Sequence, residues 1–559
     1  MSSTLIDDLS AIVGAEHVRQ GEAERIAYSA DMWPRHQIWK MGGDICRHSP
    51  RAVVWPANED EISALLKCAA GHGVAVIPYG AGSCAVIVRS RSEISFILLR
   101  RLRSKISFLW SGMVALYILL FVCVGSGVCG ATVLLHGELI LDLKRLNKIS
   151  EISDLDLTIT AQPGIVGIHL EQQLAERGYT LGHFPSSILC STLGGWLAAR
   201  SAGQFSSKYG KIEDMVISLR AVMPDGSIME TGPGQAFDWT QLIVGSEGTL
   251  GIVTEARLRI HPAAETQAFR GYRFRTIETG QLAIRQMMQA GLKPHVVRLY
   301  DPFDSLLHSS DDESGGGGAM SSLIQPLKEL LGGRMRTINR GLPRVAVATA
   351  LGRASMLNAL IAALPVSSLL ILGFEGRQEH VESDLNAACQ IMEKAGGVDG
   401  GEGPGKRWLA HRYNISFKQS AIFDAGAFAD TMEVSCTWSR LNDVYRAVRE
   451  AVSPSALIMA HFSHAYREGC SIYFTFAGYK SNPEALERLY DKVWSDALGA
   501  VVRAGASISH HHGIGIAKRD LMGREHGAGI HLLYALKDGI DPSEQMNPGK
   551  LLPDRAVVE

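Results

Sequence analysis

The chain has 559 residues, with 55 Lys and Arg against 57 Asp and Glu for a formal net charge of −2, so no basic field is available to attract DNA or RNA. Hydrophobic residues at 46% and charged ones at 20% exclude a disordered chain, and the length suits about two to four domains or one large bilobal enzyme. The nine cysteines are odd in number and never spaced Cys-x-x-Cys, which points to a reducing compartment without a structural zinc site.

Residues 1–50 read as an N-terminal helical segment; Asp7 and Asp8 near its start argue against a secretory signal. Arg51 to Pro56 reads as a strand, and Asn58-Glu-Asp60 opens a helix through Cys68. Val74 to Pro78 is a second strand leading into a glycine turn, which makes a β-α-β start. From Ile106 to Leu135 there is no charge, and Arg89, Arg91, Arg100, Arg101, Arg103 and Lys105 precede this run; taken alone, it is a transmembrane helix with basic flanks. The strands on either side, Val74 to Pro78 and Leu139 to Leu143, are however expected in one sheet, about 5 Å apart, whereas a single span separates its ends by about 30 Å. Gly82-Ser83 recurs as Gly125-Ser126, and removing Cys84 to Ser126 joins YGAGS to GVCGA. The segment 84–126 is therefore expected to be foreign to the domain; a genuine span and an unusual buried helix are the competing readings.

Thr158 to Gly164 reads as a strand, Gly167 to Arg177 as a helix, and Val216 to Val222 as a strand turning at Asp225-Gly226. Mixed α/β character runs to about Pro262. Beyond it, the amphipathic helix Thr276 to Ala290 alternates with strands at Val296 to Leu299, Val345 to Ala350 and Leu369 to Phe374, so a second domain is expected. Asp311 to Gly318 reads as a loop.

Three glycine turns carry the first chemistry. They are Pro78-Tyr79-Gly80-Ala81-Gly82-Ser83 with Gly127, then Pro185 through Ser191-Thr192-Leu193-Gly194-Gly195-Trp196, then Gly245-Ser-Glu247-Gly248-Thr249-Leu-Gly251-Ile252. Turns without side chains let backbone N–H groups close on a pyrophosphate. Each alone is an ordinary turn, but three within one α/β unit favour a large nucleotide cofactor. A fourth site is Ser509-His510-His511-His512-Gly513, whose imidazoles, with reference pKa ~6.5, can move protons near neutrality. A solvated histidine loop is the competing reading; metal binding is disfavoured, because adjacent histidines diverge and no carboxylate pattern joins them.

PYGAGS, PSSILCSTLGGWLA, YGKIEDMV and IVGSEGTLGIVTEA resemble the FAD-binding half of the vanillyl-alcohol oxidase (PCMH-type) flavoproteins, and Asp541-Pro542 with Met546-Asn547-Pro548-Gly549-Lys550 resembles that superfamily's C-terminal signature. Tyr473 with the triple histidine, Gly182-His183-Phe184-Pro185 and Val297-Arg298-Leu299-Tyr300 look like the alkyldihydroxyacetonephosphate synthase family; the His-x-Gly-Asp-Gly-Asn of D-lactate and glycolate dehydrogenases is missing. The resemblance implies an α+β, two-lobed flavoprotein with an FAD-binding PCMH-type domain at 51–263 interrupted at 84–126, an α/β cap at 264–490, and a segment 491–559 completing the active site. It implies FAD along Pro78, Gly80, Ala81, Gly82, Ser83, Gly127, Pro185, Ser191, Thr192, Gly194, Gly195, Trp196, Glu247, Gly248, Thr249, Gly251 and Ile252. It implies no metal, and exchange of the fatty acid of acyl-dihydroxyacetone phosphate for a long-chain alcohol, in ether-lipid synthesis. Tyr473, His511 and His512 would handle protons, Arg298 would hold an anionic group and His183 would line the site. The alternative is an FAD-linked dehydrogenase for a 2-hydroxy acid. We further expect a homodimer in the cytoplasm or at a membrane periphery, with lipid substrates and no nucleic-acid partner. The insert splits the pyrophosphate loop, and loss of two charge-assisted N–H bonds would cost about a hundredfold or more in FAD affinity.

Overall fold

The computed structural model describes residues 4–80, 128–308, 348–413 and 420–558. β1 (Val18–Arg19), β2 (Ala52–Val54), β3 (Val76–Tyr79) and β4 (Leu139–Asp142) form a sheet in the order β1-β2-β4-β3. β2 and β3 both run parallel to β4, with Ala52 and Val76 each opposite Leu139. Val54, Val76 and Leu141 pack on one face, and Val53, Ile77 and Ile140 on the other. Covering both faces of a parallel sheet explains why these strands are continuous apolar runs. The helix Glu59–Gly71 joins β2 to β3; Asn58 caps it by accepting the Glu61 N–H at 2.9 Å, and Ile62, Leu65 and Leu66 are buried from it. The expected β-α-β unit is present, with β4 set between its two strands.

The strands that flank the apolar segment are thus immediate neighbours, the juxtaposition on which the sequence argument turns. The segment 84–126 lies outside the described residues, as do the loop expected at Asp311 to Gly318 and the site residues Ala81, Gly82, Ser83 and Gly127. Among the described residues, no helix is long and apolar enough to cross a membrane.

β5 (Ile149–Ser153) and β6 (Thr158–Ala161) begin a second sheet, and β7 (Tyr179–Thr180) belongs to a short ribbon. β8 (Val216–Val222), β9 (Ile228–Glu230) and β10 (Ile252–Arg259) complete the second sheet in the antiparallel order β5-β6-β10-β8-β9, and β11 (His261–Pro262) closes the ribbon.

The rest of the chain builds a seven-stranded antiparallel sheet from β12 (Thr266–Phe274), β13 (Val296–Tyr300), β14 (Ser368–Gly376), β15 (Val398–Asp399), β16 (Ala427–Thr437), β17 (Leu457–Ala465) and β18 (Gly469–Tyr479), in the order β15-β12-β14-β13-β17-β18-β16. The helices Ile277–Gln289, Gln378–Lys394, Leu441–Val452 and Pro483–Arg503 pack their apolar stripes on one face, against Leu299, Phe462, Ile472, Phe474 and Phe476. Because side chains alternate across a strand, the residues between these apolar ones are presented on the opposite face. One expectation fails: Val345 to Ala350 is not a strand where it is described, since Ala348 to Leu351 is helical. Alanine is the strongest helix former, so Ala346, Ala348 and Ala350 make the stretch as compatible with helix as with strand.

Candidate active site

Cross-strand register assembles the site. On the face opposite the helices, Tyr473 of β18 stands directly between Glu433 of β16 and His461 of β17. On β13, Arg298 lies opposite Ser463 and Tyr300 opposite His461. The Tyr473 ring stacks on His461, with centroids 4.8 Å apart and planes at 17°, and its hydroxyl donates to Thr431 Oγ1 at 3.1 Å.

The histidine loop descends onto this face. His511 stacks near-parallel to Tyr473 at 6.2 Å, and His512 meets it edge-on at 5.4 Å. Glu433, fully buried, anchors the loop: its carboxylate accepts from Ser509 Oγ at 2.8 Å, the His512 N–H at 2.8 Å, the His510 N–H, and Lys518 Nζ at 3.2 Å. Burial alone would raise the Glu433 carboxyl, but the Lys518 ammonium overturns that and holds it well below the usual carboxylate range. Ligand atoms of Glu433, His510 and His511 lie within 4.8 Å of one another, a spacing that could suit a metal ion. Lys518 already supplies the cation there, so the arrangement is a buried ion pair.

Burial pushes His512 down to about 4 and holds His510 and His511 well below the ordinary imidazole value. The sequence reading took these rings as titrating near neutrality, or as a solvated loop. They are instead largely enclosed, with the His511 and His512 side chains 12% and 9% exposed, and neutral at pH 7, so each ring has a nitrogen free of a proton. A hydrogen-bonded chain leads away from them: His511 Nδ1 to His510 Nδ1 at 3.0 Å, His510 Nε2 to Tyr466 Oη at 3.2 Å, Tyr466 to Ser206 Oγ at 3.2 Å, and Ser206 to His464 Nδ1 at 2.7 Å. His464 sits at the register shift between Ser463 and Ala465 with φ +53°. Such a bulge re-aims a side chain, and a left-handed non-glycine residue is a recurrent mark of a functional site.

The glycine turns converge at the C-terminal end of β3. A Cβ on Gly80 would lie 2.4 Å from Thr192 Oγ1, one on Gly194 2.8 Å from Pro163, and one on Gly248, whose φ is +72°, 3.0 Å from Pro78. Thr192 caps the helix that begins at Leu193, accepting the Gly195 N–H at 3.4 Å, and the Trp196 indole donates to Ser191 Oγ at 2.7 Å. Pro185 accepts the Ile188 N–H at 3.0 Å in the turn before that helix. Thr249 closes its own turn on the Ser246 carbonyl at 2.7 Å, and Gly251 leads into β10 at Ile252. Glu247, at φ +52°, turns its carboxylate on the histidine loop, taking the N–H groups of Ile514 and of Gly515, the latter at 2.9 Å. From the C-terminal signature, Asn547 donates to the Glu247 carbonyl at 2.7 Å and the Ala131 carbonyl at 3.0 Å, and its N–H bonds to Val76 O at 2.8 Å. The contacts of His183 lie away from the Tyr473 cluster: it is buried against Trp196 at 4.6 Å with Ser201 Oγ at 3.2 Å, and burial lowers it to about 3.

Residues 118–232 match the model of an FAD binding domain, and residues 263–551 that of the C-terminal domain of FAD-linked oxidases. The chain belongs to the FAD-linked oxidase family. Its cofactor is FAD, and the turns suit that group in one respect: Gly80, at the end of a parallel strand, comes against the first turn of the helix Leu193–Ala199, where backbone N–H groups of a helix start favour a phosphate. This FAD-linked oxidase is similar to the alkyldihydroxyacetonephosphate synthase of Dictyostelium discoideum, 27% identical over 98% of this chain and 80% of that one. It is also similar to the FAD-linked oxidoreductase YgcU of Escherichia coli O157:H7, 30% identical over 76% and 81%, and to glycolate oxidase subunit GlcD of Bacillus subtilis, 24% identical over 98% and 96%. Among solved structures, an alkyldihydroxyacetonephosphate synthase matches with TM-score 0.68 and 24% identity over 97% of this chain and 84% of that one, and p-cresol methylhydroxylase with 0.66 and 14% over 98% and 96%.

Sequence reasoning passed over His461, His464, Lys518 and Ser206. His461 was within reach, since its odd parity with Met459 and Ser463 on β17 places it on the face of Tyr473. His464 was not, because the bulge that turns it inward has no signature in the residues around it.

Proposed function

We propose that this enzyme exchanges the fatty acyl group of acyl-dihydroxyacetone phosphate for a long-chain alcohol, forming an ether lipid precursor without net oxidation. The observation that carries the reading is the Tyr473 phenol held between His461 and the neutral rings of the histidine loop. It is supported by the likeness to alkyldihydroxyacetonephosphate synthases of Dictyostelium discoideum and Trypanosoma brucei brucei over 98% of the chain.

FAD, when bound, supplies an electron-poor ring that takes up and returns an electron pair within one cycle. In the net exchange the ester C–O bond of the substrate breaks and its carboxylate leaves; the alcohol oxygen forms the new C–O bond and gives up its proton. The protein must therefore accept protons at pH 7, and a free phenol, with pKa ~10, is a poor base unless neighbours assist. Tyr473 would act as a base by passing its own hydroxyl proton to an uncharged His511 or His512 ring as its oxygen takes the substrate's proton, with the Glu433 carboxylate stabilising the imidazolium that forms; the proton returns when the carboxylate and ether products leave. Arg298 would hold an anionic group of the substrate, for which its planar fork is suited. The convergent turns would hold FAD through Pro78, Gly80, Thr192, Gly194, Gly195 and Gly248, and Glu247 would join that turn to the histidine loop.

The test is incubation of the flavin-loaded protein with labelled hexadecanol and acyl-dihydroxyacetone phosphate. Labelled alkyl-dihydroxyacetone phosphate with release of fatty acid is expected. Bleaching of the flavin by D-lactate or glycolate, with no labelled ether, would overturn the proposal in favour of a 2-hydroxy acid dehydrogenase.

A further inference from the structure

Among the described residues, no carboxylate holds Arg298. Its Nη2 lies 2.6 Å from His461 Nε2, and the other ring nitrogen, Nδ1, lies 3.2 Å from Asp304 Oδ2. A guanidinium can only donate, so His461 Nε2 must carry the lone pair and Nδ1 the proton, which is donated to Asp304. The tautomer is dictated from both sides: a protonated ring would place N–H against N–H at 2.6 Å. Asp304 is in turn fixed by the helix Pro302–His308, where its N–H bonds to Asp301 Oδ1 at 2.8 Å. Asp301 is locked by Arg449 at 2.8 Å and by the Ala460 N–H at 3.0 Å, next to His461 itself. The Arg298 Nε is buried and, among the described residues, has no hydrogen-bond partner. A buried donor left without an acceptor is a site for a ligand's acceptor.

We propose that Asp304 and His461 are a positioning pair that holds the Arg298 guanidinium beside Tyr473, with its Nε kept for an anionic oxygen of the substrate. The pair acts through Arg298 and takes no part in bond making. His461 accepts one N–H of the fork without neutralising it, so the guanidinium keeps its charge for the ligand, where a carboxylate at the same place would compete with the substrate. Stacking of the same imidazole on Tyr473 ties the orientation of the anion-holding group to that of the phenol, so the anion and the proton-accepting oxygen are set in one frame.

This inference rests on the proposed exchange reaction for its substrate but not for its geometry, and two variants separate the contributions. His461→Phe keeps a flat ring on Tyr473 and removes the acceptor; His461→Gln keeps an acceptor near the Nε2 position. For His461→Phe, the KM for acyl-dihydroxyacetone phosphate should rise about tenfold or more, the loss expected when a charged donor is released from its orienting bond. The KM for the neutral alcohol and kcat should move less than about threefold, and His461→Gln should restore most of the loss. Equal shifts in both KM values, a collapse of kcat with KM unchanged, or failure of His461→Gln to rescue would overturn the positioning role. Crystal structures of the flavin-loaded wild type and His461→Phe give a readout independent of the reaction. Displacement of the Arg298 guanidinium is expected, and an unmoved Arg298 would refute the pair even if the exchange reaction is confirmed. If the wild type performs no exchange, the functional proposal fails by itself, and the crystal comparison still decides this one.

Discussion

Glu433→Gln tests whether the histidine loop is held by a buried charge. The wild-type carboxylate faces the N–H groups of His510 and His512, the Ser509 hydroxyl and the Lys518 ammonium, and both Glu433 and Lys518 side chains are fully buried. The amide keeps one oxygen, sets an NH2 group against donors, and strands the ammonium in a site with no solvent. Breaking a buried pair from one side costs about 3–5 kcal/mol, because the remaining charge is uncompensated. Lys518→Met should cost a similar amount by leaving the carboxylate unpaired among its neutral donors. The double variant leaves no lone charge, so its loss should fall short of the sum of the single losses by about 2–3 kcal/mol, the coupling a double-mutant cycle isolates. Urea unfolding of the flavin-loaded proteins, followed by far-UV circular dichroism, measures all four corners. Strict additivity, with a coupling under about 0.5 kcal/mol, would refute the claim that this pair anchors the loop.

Tyr473→Phe should abolish the exchange while the visible flavin spectrum is retained; undiminished turnover would remove the phenol from the mechanism. Acid should destabilise the protein well before its carboxylates titrate. His512, lowered by burial to about 4, stays neutral in the folded state while the unfolded chain binds a proton below about 6.5. Stability is therefore full above pH ~6.5 and is lost towards pH 4; between pH 7 and pH 5 this one ring accounts for about 2 kcal/mol, and His510 and His511 add in the same direction. Urea midpoints that stay level across that interval would contradict the burial of these rings. Glu247→Ala leaves the N–H groups of Ile514 and Gly515 without their acceptor, and should lower stability by about 2–4 kcal/mol and depress activity with it, as read by denaturation and turnover assays on one preparation.

What could be read in advance depended on whether the information was local. The Asn58 cap, the strands around Val76 and Val216, and the helix that starts after Thr276 are written in runs of a few residues, and the structure places them within a residue or two of the reading. The pairing of the strands on either side of the 84–126 segment was legible too, because two apolar runs separated by a glycine turn leave few topologies once parallel pairing is assumed. The strand expected at Val345 to Ala350 is helix from Ala348 on, because a short run alternating alanine with valine and threonine carries little contrast between faces. Within the site, the histidine loop is marked by residue type, whereas Tyr473 and Arg298 enter only through the resemblance to a family. That Glu433, Tyr473 and His461 occupy consecutive rungs follows from the register of β16, β18 and β17, which no short window contains.

The same distinction explains why the protonation of the histidine loop was misread. Reference values treat an imidazole as solvated, whereas these rings are enclosed by the cap sheet below and by the turn carrying Glu247 above. Glu247 belongs to the glycine motif of the first lobe, yet its carboxylate holds Ile514 and Gly515, just past the three histidines, while Glu433 of the cap holds His510 and His512 from the other side. The loop is therefore oriented by one carboxylate from each lobe, and neither is adjacent to it in sequence. A glycine turn that shapes a nucleotide site and also fixes a proton-accepting loop links cofactor binding to the position of the acceptors, so damage to that turn should be felt at Tyr473 as well as in flavin retention.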